Sequence, residues 1–277
     1  MLTVEHLQKS YDVRGSTLEV LRDITFTVRE GEFVSIVGPS GAGKTTLLRC
    51  LSGLLPRTGG RVVLTGSGRL VDSPPPEIAC VFQDYSRSLM PWSKVARNVA
   101  IPLKNKIRDR GERRAAVEQA LAEVGLEGFG DHYPWQLSGG MQQRVAIARA
   151  IAYRPQFLIM DEPFASVDAQ TRADLEDLVL RVRHEANLTI VLVTHDIDEA
   201  AYLGDRVVVM SGRPTTVRKI IDVDLPRPRS QVGTKALPRF TELRTEVLKL
   251  ISESGGAGGA GGAAAGGAAD GAASTPV

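Results

Sequence analysis

Apolar and polar residues alternate at the start of the chain, in LTVEHLQKSYD and LEVLRDITFTVREGE, with a turn at 14–16 between the two stretches. A period of two is typical of strands that bury one face, so we predict a lead-in of short antiparallel strands. The next segment differs, because FVSIVG at 33–38 is a continuous apolar run that enters a glycine-rich turn. Apolar residues then recur at helical spacing through Leu47, Leu48 and Leu51, which predicts a strand–loop–helix unit.

Three later apolar runs have the length of buried strands, namely QFLIMDE, LTIVLVTHD and VVVMS, with helical patterns between them. This alternation is typical of a parallel sheet that is covered on both faces. The region from about 84 to 152 lacks strand runs and contains GERRAAVEQALAEVGLEG, an amphipathic helical pattern that ends at glycine. We therefore predict an α/β fold over 1–228 with a parallel-sheet core, an N-terminal antiparallel β subdomain and an inserted helical subdomain.

The end of the chain divides into two parts. In PRFTELRTEVLKLIS, the apolar residues Phe240, Leu243, Val247 and Ile251 share one helical face, which predicts a helix in an extension over 229–253. The Gly- and Ala-rich segment 254–277 has almost no side chain that could bury apolar area and offset the entropy lost on ordering. We expect this segment to be a disordered tail.

The charge balance, the cysteines and the lengths of the apolar runs limit the classes of protein to which the chain can belong. The net charge of +2 comes from 34 basic and 32 acidic residues, which implies no strong field for nucleic acid. The two cysteines, Cys50 and Cys80, have neither metal-ligand nor disulfide-framework spacing, which indicates core thiols and a reducing compartment. The N-terminus lacks the apolar region of a signal peptide, and no run of about 18 apolar residues occurs that could span a membrane.

The stretch GPSGAGKT at 38–45 fits GxxxxGK[ST] and lies between a predicted buried strand and a predicted helix. Its glycines let the backbone wrap closely around phosphate oxygens, and the helix N-terminus adds a favourable dipole. Lys44 supplies a positive charge for the β- and γ-phosphates, and Thr45 supplies a hydroxyl for Mg²⁺. This motif predicts a P-loop nucleotide-binding protein, a class that includes kinases, GTPases and ATPases.

Polar side chains end several of the other predicted strands. Asp161 and Glu162 follow an apolar run, where Asp161 could hold Mg²⁺ and Glu162 could orient or deprotonate an attacking water. A solvated strand end is the alternative for this pair. His195 ends another buried run, and a satisfied structural histidine is the usual explanation for such a residue taken alone. Gln83 follows a short apolar run and has the reach for Mg²⁺ or water, with a surface glutamine as the alternative.

A second glycine-lined helix start occurs in LSGGMQQRVAIARAIAY. Ser138 is a good N-cap, and we expect Gly139 and Gly140 to leave N–H groups exposed to an anion. One helix N-terminus contributes only about 0.3 to 1 kcal/mol toward an anion, whereas even a millimolar ligand needs about 4 kcal/mol. The segment therefore either supplements a phosphate held elsewhere or is a helix cap with no phosphate role.

Taken in order, GPSGAGKT, Gln83, LSGGMQQR, FLIMDE, SVD and His195 resemble the ATP-binding subunit of an ABC transporter over about 2–228. The resemblance implies a P-loop ATPase that binds ATP and Mg²⁺ in a head-to-tail dimer, in which the signature LSGG of one subunit closes over the ATP held by the P-loop of the other. The implied nucleotide-binding residues are Tyr11, which stacks on adenine, and Gly38, Pro39, Ser40, Gly41, Ala42, Gly43, Lys44, Thr45, Thr46, Ser138, Gly139, Gly140 and the D-loop Asp168. The implied catalytic residues are the base Glu162, the switch His195 and the Q-loop Gln83, and the implied Mg²⁺ ligands are Thr45, Gln83 and Asp161.

Departures from the family pattern are small. The D-loop reads SVD instead of a sequence close to ALD, which keeps Asp168, and Met141 takes the place of the commoner glutamine after LSGG. The segments LMPWSKVARNVAIPL, THDIDEAAYLGDRVVVMS and DLPRPRS together resemble the importer ATPases of the nitrate, sulfonate and taurine family. For Trp92, in the first of these segments, a plain core position is the alternative.

The resemblance implies a peripheral ATPase subunit on the cytoplasmic face of the cell membrane. It would work with a second copy of itself, a separate integral-membrane permease and, indirectly, an extracytoplasmic solute-binding protein, with no nucleic-acid partner. Other functions to weigh are an ATPase of another small-solute importer, a soluble ABC ATPase that acts on DNA or ribosomes, a kinase-like P-loop enzyme and a non-hydrolysing binding module. The last would need a degraded Asp161–Glu162 pair, and both carboxylates are present.

Overall fold

A computed structural model of the chain describes residues 1–84 and 88–255. The predicted disordered tail therefore lies outside the described residues from position 256 onward. The predicted fold class is confirmed, since the strands form an antiparallel sheet and a mainly parallel sheet, and a helical region is inserted between two strands of the second.

The antiparallel sheet has the order β2-β1-β4-β5. Its strands are β1 (Leu2–Val13), β2 (Ser16–Val28), β4 (Gly59–Leu64) and β5 (Arg69–Leu70). The N-terminal strand lies between its two neighbours, so that Leu2 pairs with Val28 on one side and with Leu64 on the other. The alternating lead-in thus forms the predicted hairpin, and β4 and β5 extend it to four strands.

The second sheet has the order β10-β9-β3-β8-β7-β6, with every strand parallel to its neighbours except β10. Its strands are β3 (Phe33–Val37), β6 (Ile78–Val81), β7 (Phe157–Asp161), β8 (Thr189–Val193), β9 (Arg206–Met210) and β10 (Val217–Asp222). Successive side chains of β3 enter different cores: Val34 and Ile36 pack toward the antiparallel sheet, and Phe33 and Val37 pack toward the helices. Burial on both faces explains why these strands are continuous apolar runs.

Seven helices accompany the sheets within the described residues. They are α1 (Lys44–Leu51), α2 (Val95–Ala100), α3 (Arg110–Glu123), α4 (Gly139–Ala152), α5 (Ala169–Ala186), α6 (Ile197–Leu203) and α7 (Pro238–Gly255), and short 3₁₀ turns occupy Ile101–Leu103, Phe129–Asp131 and Pro134–Gln136. The inserted region consists of α2 to α4, which pack on one another between β6 and β7 in the sequence. Asp109 caps α3 by accepting a 2.8 Å hydrogen bond from the Glu112 N–H, and Gly125, with φ of 70°, follows its end.

The C-terminal helix α7 buries the face that the sequence predicts. Phe240, Leu243 and Val247 are buried, and Ile251 packs against the same core. The helix contacts α6 and β9, so the end of the described chain lies against the main sheet. Among residues 1–84 and 88–255, no helix has the length and apolar character that crossing a bilayer requires.

The parallel sheet determines where the polar motif residues meet. Parallel strands end at the same edge of a sheet, so the residues that follow β3, β6, β7, β8 and β9 come together there. The loop after β3 is GPSGAGKT, Gln83 follows β6, Glu162 follows β7 and His195 follows β8. Segments far apart in sequence are thereby gathered around one cleft.

Candidate active site

The loop between β3 and α1 is built on glycines that need unusual backbone conformations. Gly41 and Gly43 have φ of 76° and 84°, in the left-handed region that favours glycine. A Cβ atom at Gly43 would lie 2.5 Å from Cγ1 of Val20, so this glycine also permits close approach to β2. The hydroxyl of Thr215 donates a hydrogen bond to the Ala42 carbonyl. The loop is therefore supported from β2 and from the segment that follows β9.

Lys44, the first residue of α1, is buried and turned onto its own loop. Its Nζ atom donates hydrogen bonds to the carbonyl oxygens of Gly38 at 2.9 Å and Pro39 at 3.1 Å. Burial lowers the pKa of Lys44, and the carboxylates of Glu162 and Asp161 act in the opposite direction. A phosphate oxygen that reached this ammonium group would find a donor already held at the cleft.

Thr45, in the first turn of α1, contacts Asp161 at the end of β7, although β8 separates β7 from β3, the strand that precedes α1. The Thr45 hydroxyl donates to Oδ1 of Asp161 at 3.4 Å. Burial raises the pKa of Asp161, and the hydrogen bond from Thr45 opposes that shift. A hydroxyl oxygen beside a carboxylate is a donor set that suits Mg²⁺, which usually takes one or two protein oxygens together with substrate phosphates.

Glu162 is held between two other predicted residues. Its Oε2 atom accepts a 3.4 Å hydrogen bond from Nε2 of Gln83 and lies 3.1 Å from Nδ1 of His195. Glu162 has φ of 44°, a strained value for a side chain of this kind, and its N–H donates to the Val193 carbonyl at 2.8 Å. Strain of this type concentrates at functional sites, where the surrounding structure enforces it.

The glycine loop, Glu162 and His195 face a cleft of about 440 Å³, whereas Asp161 and Gln83 do not line it. Its lining residues are Ser40, Gly41, Ala42, Gly43, Lys44, Thr45, Thr46, Glu162, His195 and Arg213. Arg213 is the member that the sequence analysis missed. It follows β9, and only the order of strands in the sheet shows that β9 lies directly beside β3 and its loop. The cleft thus combines the cationic or protonatable side chains of Lys44, His195 and Arg213 with the carboxylate of Glu162.

Tyr11 lies outside the set of residues that line this cleft. It pairs with Leu18 across the first hairpin. Leu18 lies two residues before Val20, which packs beside Gly43. Its ring is half-buried, and Nζ of Lys9 lies 4.9 Å from the ring centroid. The adenine-stacking role of Tyr11 therefore stays a prediction, with the ring placed beside the strand that supports the loop.

The LSGG segment and the D-loop also lie outside that cleft, and Thr171 of α5 connects them. Ser138 caps α4 by accepting a 3.3 Å hydrogen bond from the Met141 N–H. Gly139 is exposed, but Gly140 is buried, because Cγ2 of Thr171 occupies the space that a Cβ atom at Gly140 would need. Gly140 as a whole residue is thus buried, and the accessibility of the Gly139 and Gly140 N–H groups to an anion stays a prediction.

Asp168 is the N-cap of α5. Its carboxylate accepts hydrogen bonds from the Thr171 N–H at 3.0 Å and from the Thr171 hydroxyl at 2.6 Å. These hydrogen bonds lower the pKa of Asp168. Because Thr171 also covers Gly140, the first turn of α5 joins the D-loop to the start of α4.

Comparison with known proteins identifies the family. The sequence profile described as ABC transporter matches residues 21–165, more than half of the chain. The chain belongs to the ABC transporter family. As a member, it is an ABC-type ATPase.

Curated ABC proteins resemble the chain along most of its length. It is 41% identical over 256 residues to the nitrate import ATP-binding protein NrtC of Synechococcus elongatus, covering 91% of this chain and 38% of NrtC. It is 40% identical over 258 residues to the nitrate transport protein NasD of Klebsiella oxytoca, covering 91% of this chain and 97% of NasD. The chain therefore spans well under half the length of NrtC but nearly all of NasD.

A solved structure supports the family assignment at the level of the fold. The ATP-binding cassette MJ0796, solved as a dimer in a post-hydrolysis state with ADP and Pi, superimposes on the ABC-type chain with a TM-score of 0.70. The sequences are 33% identical, and the match covers 80% of this chain and 99% of MJ0796.

Proposed function

We propose that this ABC ATPase is the ATP-hydrolysing subunit of an importer for a small solute of the nitrate, sulfonate or taurine kind. The observation that carries the hydrolytic role is the position of Glu162, whose Oε2 atom lies within 3.4 Å of Gln83 and 3.1 Å of His195 at the mouth of the phosphate cleft. A carboxylate held in this way can accept the proton of an attacking water.

The neighbouring groups have complementary tasks in this proposal. His195, 58% exposed at its side chain, can contact a γ-phosphate through the ring while Nδ1 stays with Glu162. Lys44 exchanges its loop carbonyls for phosphate oxygens. Thr45, Asp161 and Gln83 would hold Mg²⁺, which when bound neutralises charge on the phosphates. Tyr11 stacks on the adenine ring.

The same proposal includes a head-to-tail dimer. Ser138, Gly139 and Gly140 do not line the cleft of their own chain. Ser138 and Gly139 are exposed, so this helix start can meet the ATP of a second copy. A single helix N-terminus contributes about 0.3 to 1 kcal/mol, enough to supplement a phosphate that a P-loop already holds. The dimeric structure of MJ0796 supports this arrangement.

The proposed role in transport is supported by the relatives of the chain and by one exposed surface. NrtC and NasD are named as nitrate import and nitrate transport proteins. Met90 and Trp92 are 38% and 75% exposed and follow Gln83 by only a few residues, so Trp92 is not a core residue of the single chain. We propose that a membrane permease covers this surface, which places the ATPase on the cytoplasmic face of the membrane and links it indirectly to an extracytoplasmic solute-binding protein.

The proposal also assigns the parts of the chain. Residues 1–228 form the nucleotide-binding domain with a helical subdomain at about 84–152, and 229–253 form a C-terminal helical extension. In the structure α7 belongs to this extension and packs on the domain.

Reconstitution with a permease tests the importer function. The chain and a permease expressed from a neighbouring gene would be placed in proteoliposomes with the matching solute-binding protein, and ATP hydrolysis would be measured with nitrate, taurine, an alkanesulfonate or bicarbonate. We expect one of the first three solutes to stimulate hydrolysis. If only bicarbonate stimulates hydrolysis, the proposed solute class is wrong and the importer function stands. Failure of the chain to join any permease, with hydrolysis stimulated by DNA or ribosomes, would overturn transport in favour of a soluble ABC ATPase.

A further inference from the structure

The segment that carries His195 is fixed by the residues on both sides of it. The Thr194 hydroxyl accepts a 3.0 Å hydrogen bond from the Asp196 N–H and donates at 2.6 Å to Oε2 of Glu199. Asp196 caps α6 by accepting from the N–H groups of Asp198 at 2.8 Å and Glu199 at 3.2 Å. Thr194 and Glu199 are both buried, so this small network is shielded from water.

Arg172 of α5 is the cation that faces this network. Its Nη1 atom donates to Oδ2 of Asp196 at 3.2 Å, and its Nε atom lies 3.8 Å from Oε1 of Glu199. The Glu199 side chain is only 5% exposed, so a nearby positive charge matters more to it than it would at the surface. Arg172 thus holds two carboxylates, of which Asp196 comes directly after His195 in the sequence.

The other end of this connection reaches the D-loop. Arg172 lies in the first turn of α5, where its N–H donates at 2.9 Å to the carbonyl oxygen of Asp168. The preceding residue, Thr171, donates a hydrogen bond through its hydroxyl to the Asp168 carboxylate and covers Gly140. The side chain of Arg172 therefore connects the segment that carries His195 to the D-loop and to the start of α4.

We propose that Arg172, acting through Asp196 and Glu199, is a positioning residue that holds His195 in place against Glu162. The inference rests on the proposed role of His195 in hydrolysis. The imidazole ring is more than half exposed, so little packing limits its orientation, and the backbone on either side of it must supply the restraint. Without the guanidinium group, Asp196 would lose the 3.2 Å hydrogen bond that ties it to α5, and the restraint on His195 would weaken.

Substitutions of Arg172 test the proposal by steady-state kinetics. We expect Arg172→Gln to lower kcat for ATP by roughly 10- to 100-fold with little change in KM, because misplacement of a reacting group lowers the rate of the chemical step. Arg172→Lys, which keeps the positive charge, should restore part of the loss. The matched control is Arg181→Gln on the same helix, an exposed arginine that donates at 3.0 Å to the Glu123 carbonyl. An unchanged kcat in Arg172→Gln overturns the proposal.

A double-mutant cycle separates positioning from a general structural defect. If Arg172 acts through His195, the fold-loss in kcat caused by Arg172→Gln should disappear in the His195→Ala background. The same fold-loss in both backgrounds overturns the proposal. An unchanged kcat in His195→Ala itself would contradict the proposed function of the histidine, which is a different failure.

Histidine NMR provides a readout that does not depend on activity. The chain has four histidines, so selective labelling gives few ring resonances, and His195→Ala identifies the one of interest. We expect Arg172→Gln to shift or broaden the ring signals of His195 and to leave those of His6, His132 and His184 in place. Unperturbed His195 signals overturn the proposal, and perturbation of all four would indicate a global structural change and overturn it equally.

Discussion

The Nδ1 atom of His195 lies 3.1 Å from the Oε2 atom of Glu162. The two residues are 33 positions apart in sequence and follow β8 and β7, which are adjacent parallel strands. Their meeting is therefore a direct result of strand order, and it brings a protonatable ring to the carboxylate that we propose as the base.

Replacement of Glu162 by glutamine should abolish turnover and leave ATP binding intact. Glutamine keeps the size of the side chain but cannot accept the proton of water, and loss of a general base costs on the order of 100- to 10,000-fold. We expect ATP to accumulate in a stable dimer, which sedimentation and filter binding would detect. Glu185→Gln, at an exposed position of α5, is the control. Hydrolysis at the normal rate in the Glu162 variant would exclude this residue as the base.

Heterodimers purified with two different tags test whether sites are shared between copies. A dimer of one Lys44→Ala subunit and one Ser138→Arg subunit should keep one complete site and hydrolyse ATP. A dimer of one doubly substituted subunit and one unchanged subunit carries the same two substitutions but keeps no complete site, so it should be inactive. The reverse result, with no hydrolysis in the first heterodimer and hydrolysis in the second, would show that each site is built within one chain.

Replacement of Tyr11 by alanine should weaken ATP binding. Stacking of a base on an aromatic ring contributes about 1 to 3 kcal/mol, so KM should rise roughly tenfold, whereas Tyr11→Phe should keep the affinity. Inorganic triphosphate has no base and serves as the comparison ligand in competition experiments. If Tyr11→Ala weakens triphosphate and ATP equally, the residue supports the loop and does not stack on adenine.

Replacement of Glu199 by glutamine should change how stability depends on pH. Burial raises the pKa of Glu199 from its ordinary 4.5 to about 7, with further upward contributions from Asp196 and Glu176, while Thr194 and Arg172 act to lower it. The folded state therefore holds the Glu199 proton more tightly than the unfolded state does. The contribution of this protonated carboxyl to the free energy of unfolding is complete below pH 4.5 and is lost as pH rises through about 7.

Glutamine does not titrate, so the Glu199→Gln variant should gain stability relative to the unchanged protein over this pH range. The gain in unfolding free energy should reach roughly 3 kcal/mol above neutral pH, given about 1.4 kcal/mol for each pKa unit. Urea unfolding at a series of pH values measures it, with Glu185→Gln as the exposed control. If the difference in unfolding free energy between the variant and the unchanged protein does not vary with pH, the raised pKa of Glu199 is contradicted.

Several parts of the fold follow from local patterns. The alternating lead-in predicts β1 and β2, the continuous apolar runs predict β3, β7, β8 and β9, and the apolar face of PRFTELRTEVLKLIS predicts α7. In each case the burial that stabilises the element leaves a local pattern of apolar residues, either alternating, continuous or at helical spacing. Short or mostly exposed strands such as β5 and β10 have no such pattern and went unpredicted.

Three features of the structure could not be predicted from the sequence, because the residues concerned are surrounded by distant segments. Arg213 enters the cleft because β9 lies beside β3, and Arg172 reaches the segment of His195 because α5 and α6 pack together. Gly140 is buried because Thr171 of another helix covers it. None of these relations has a signal in the spacing of residues along the chain.

The sequence by itself determined which chemical groups this protein carries: a glycine loop with Lys44 and Thr45, carboxylates at strand ends and a second glycine-lined helix start. Those features depend on residue type and on backbone conformations spanning a few residues, which are local properties. The tertiary structure alone decided which groups meet, since the strand order β9-β3-β8-β7-β6 results from packing between distant segments. That order places Glu162 between Gln83 and His195, and it leaves the LSGG segment outside the cleft of its own chain.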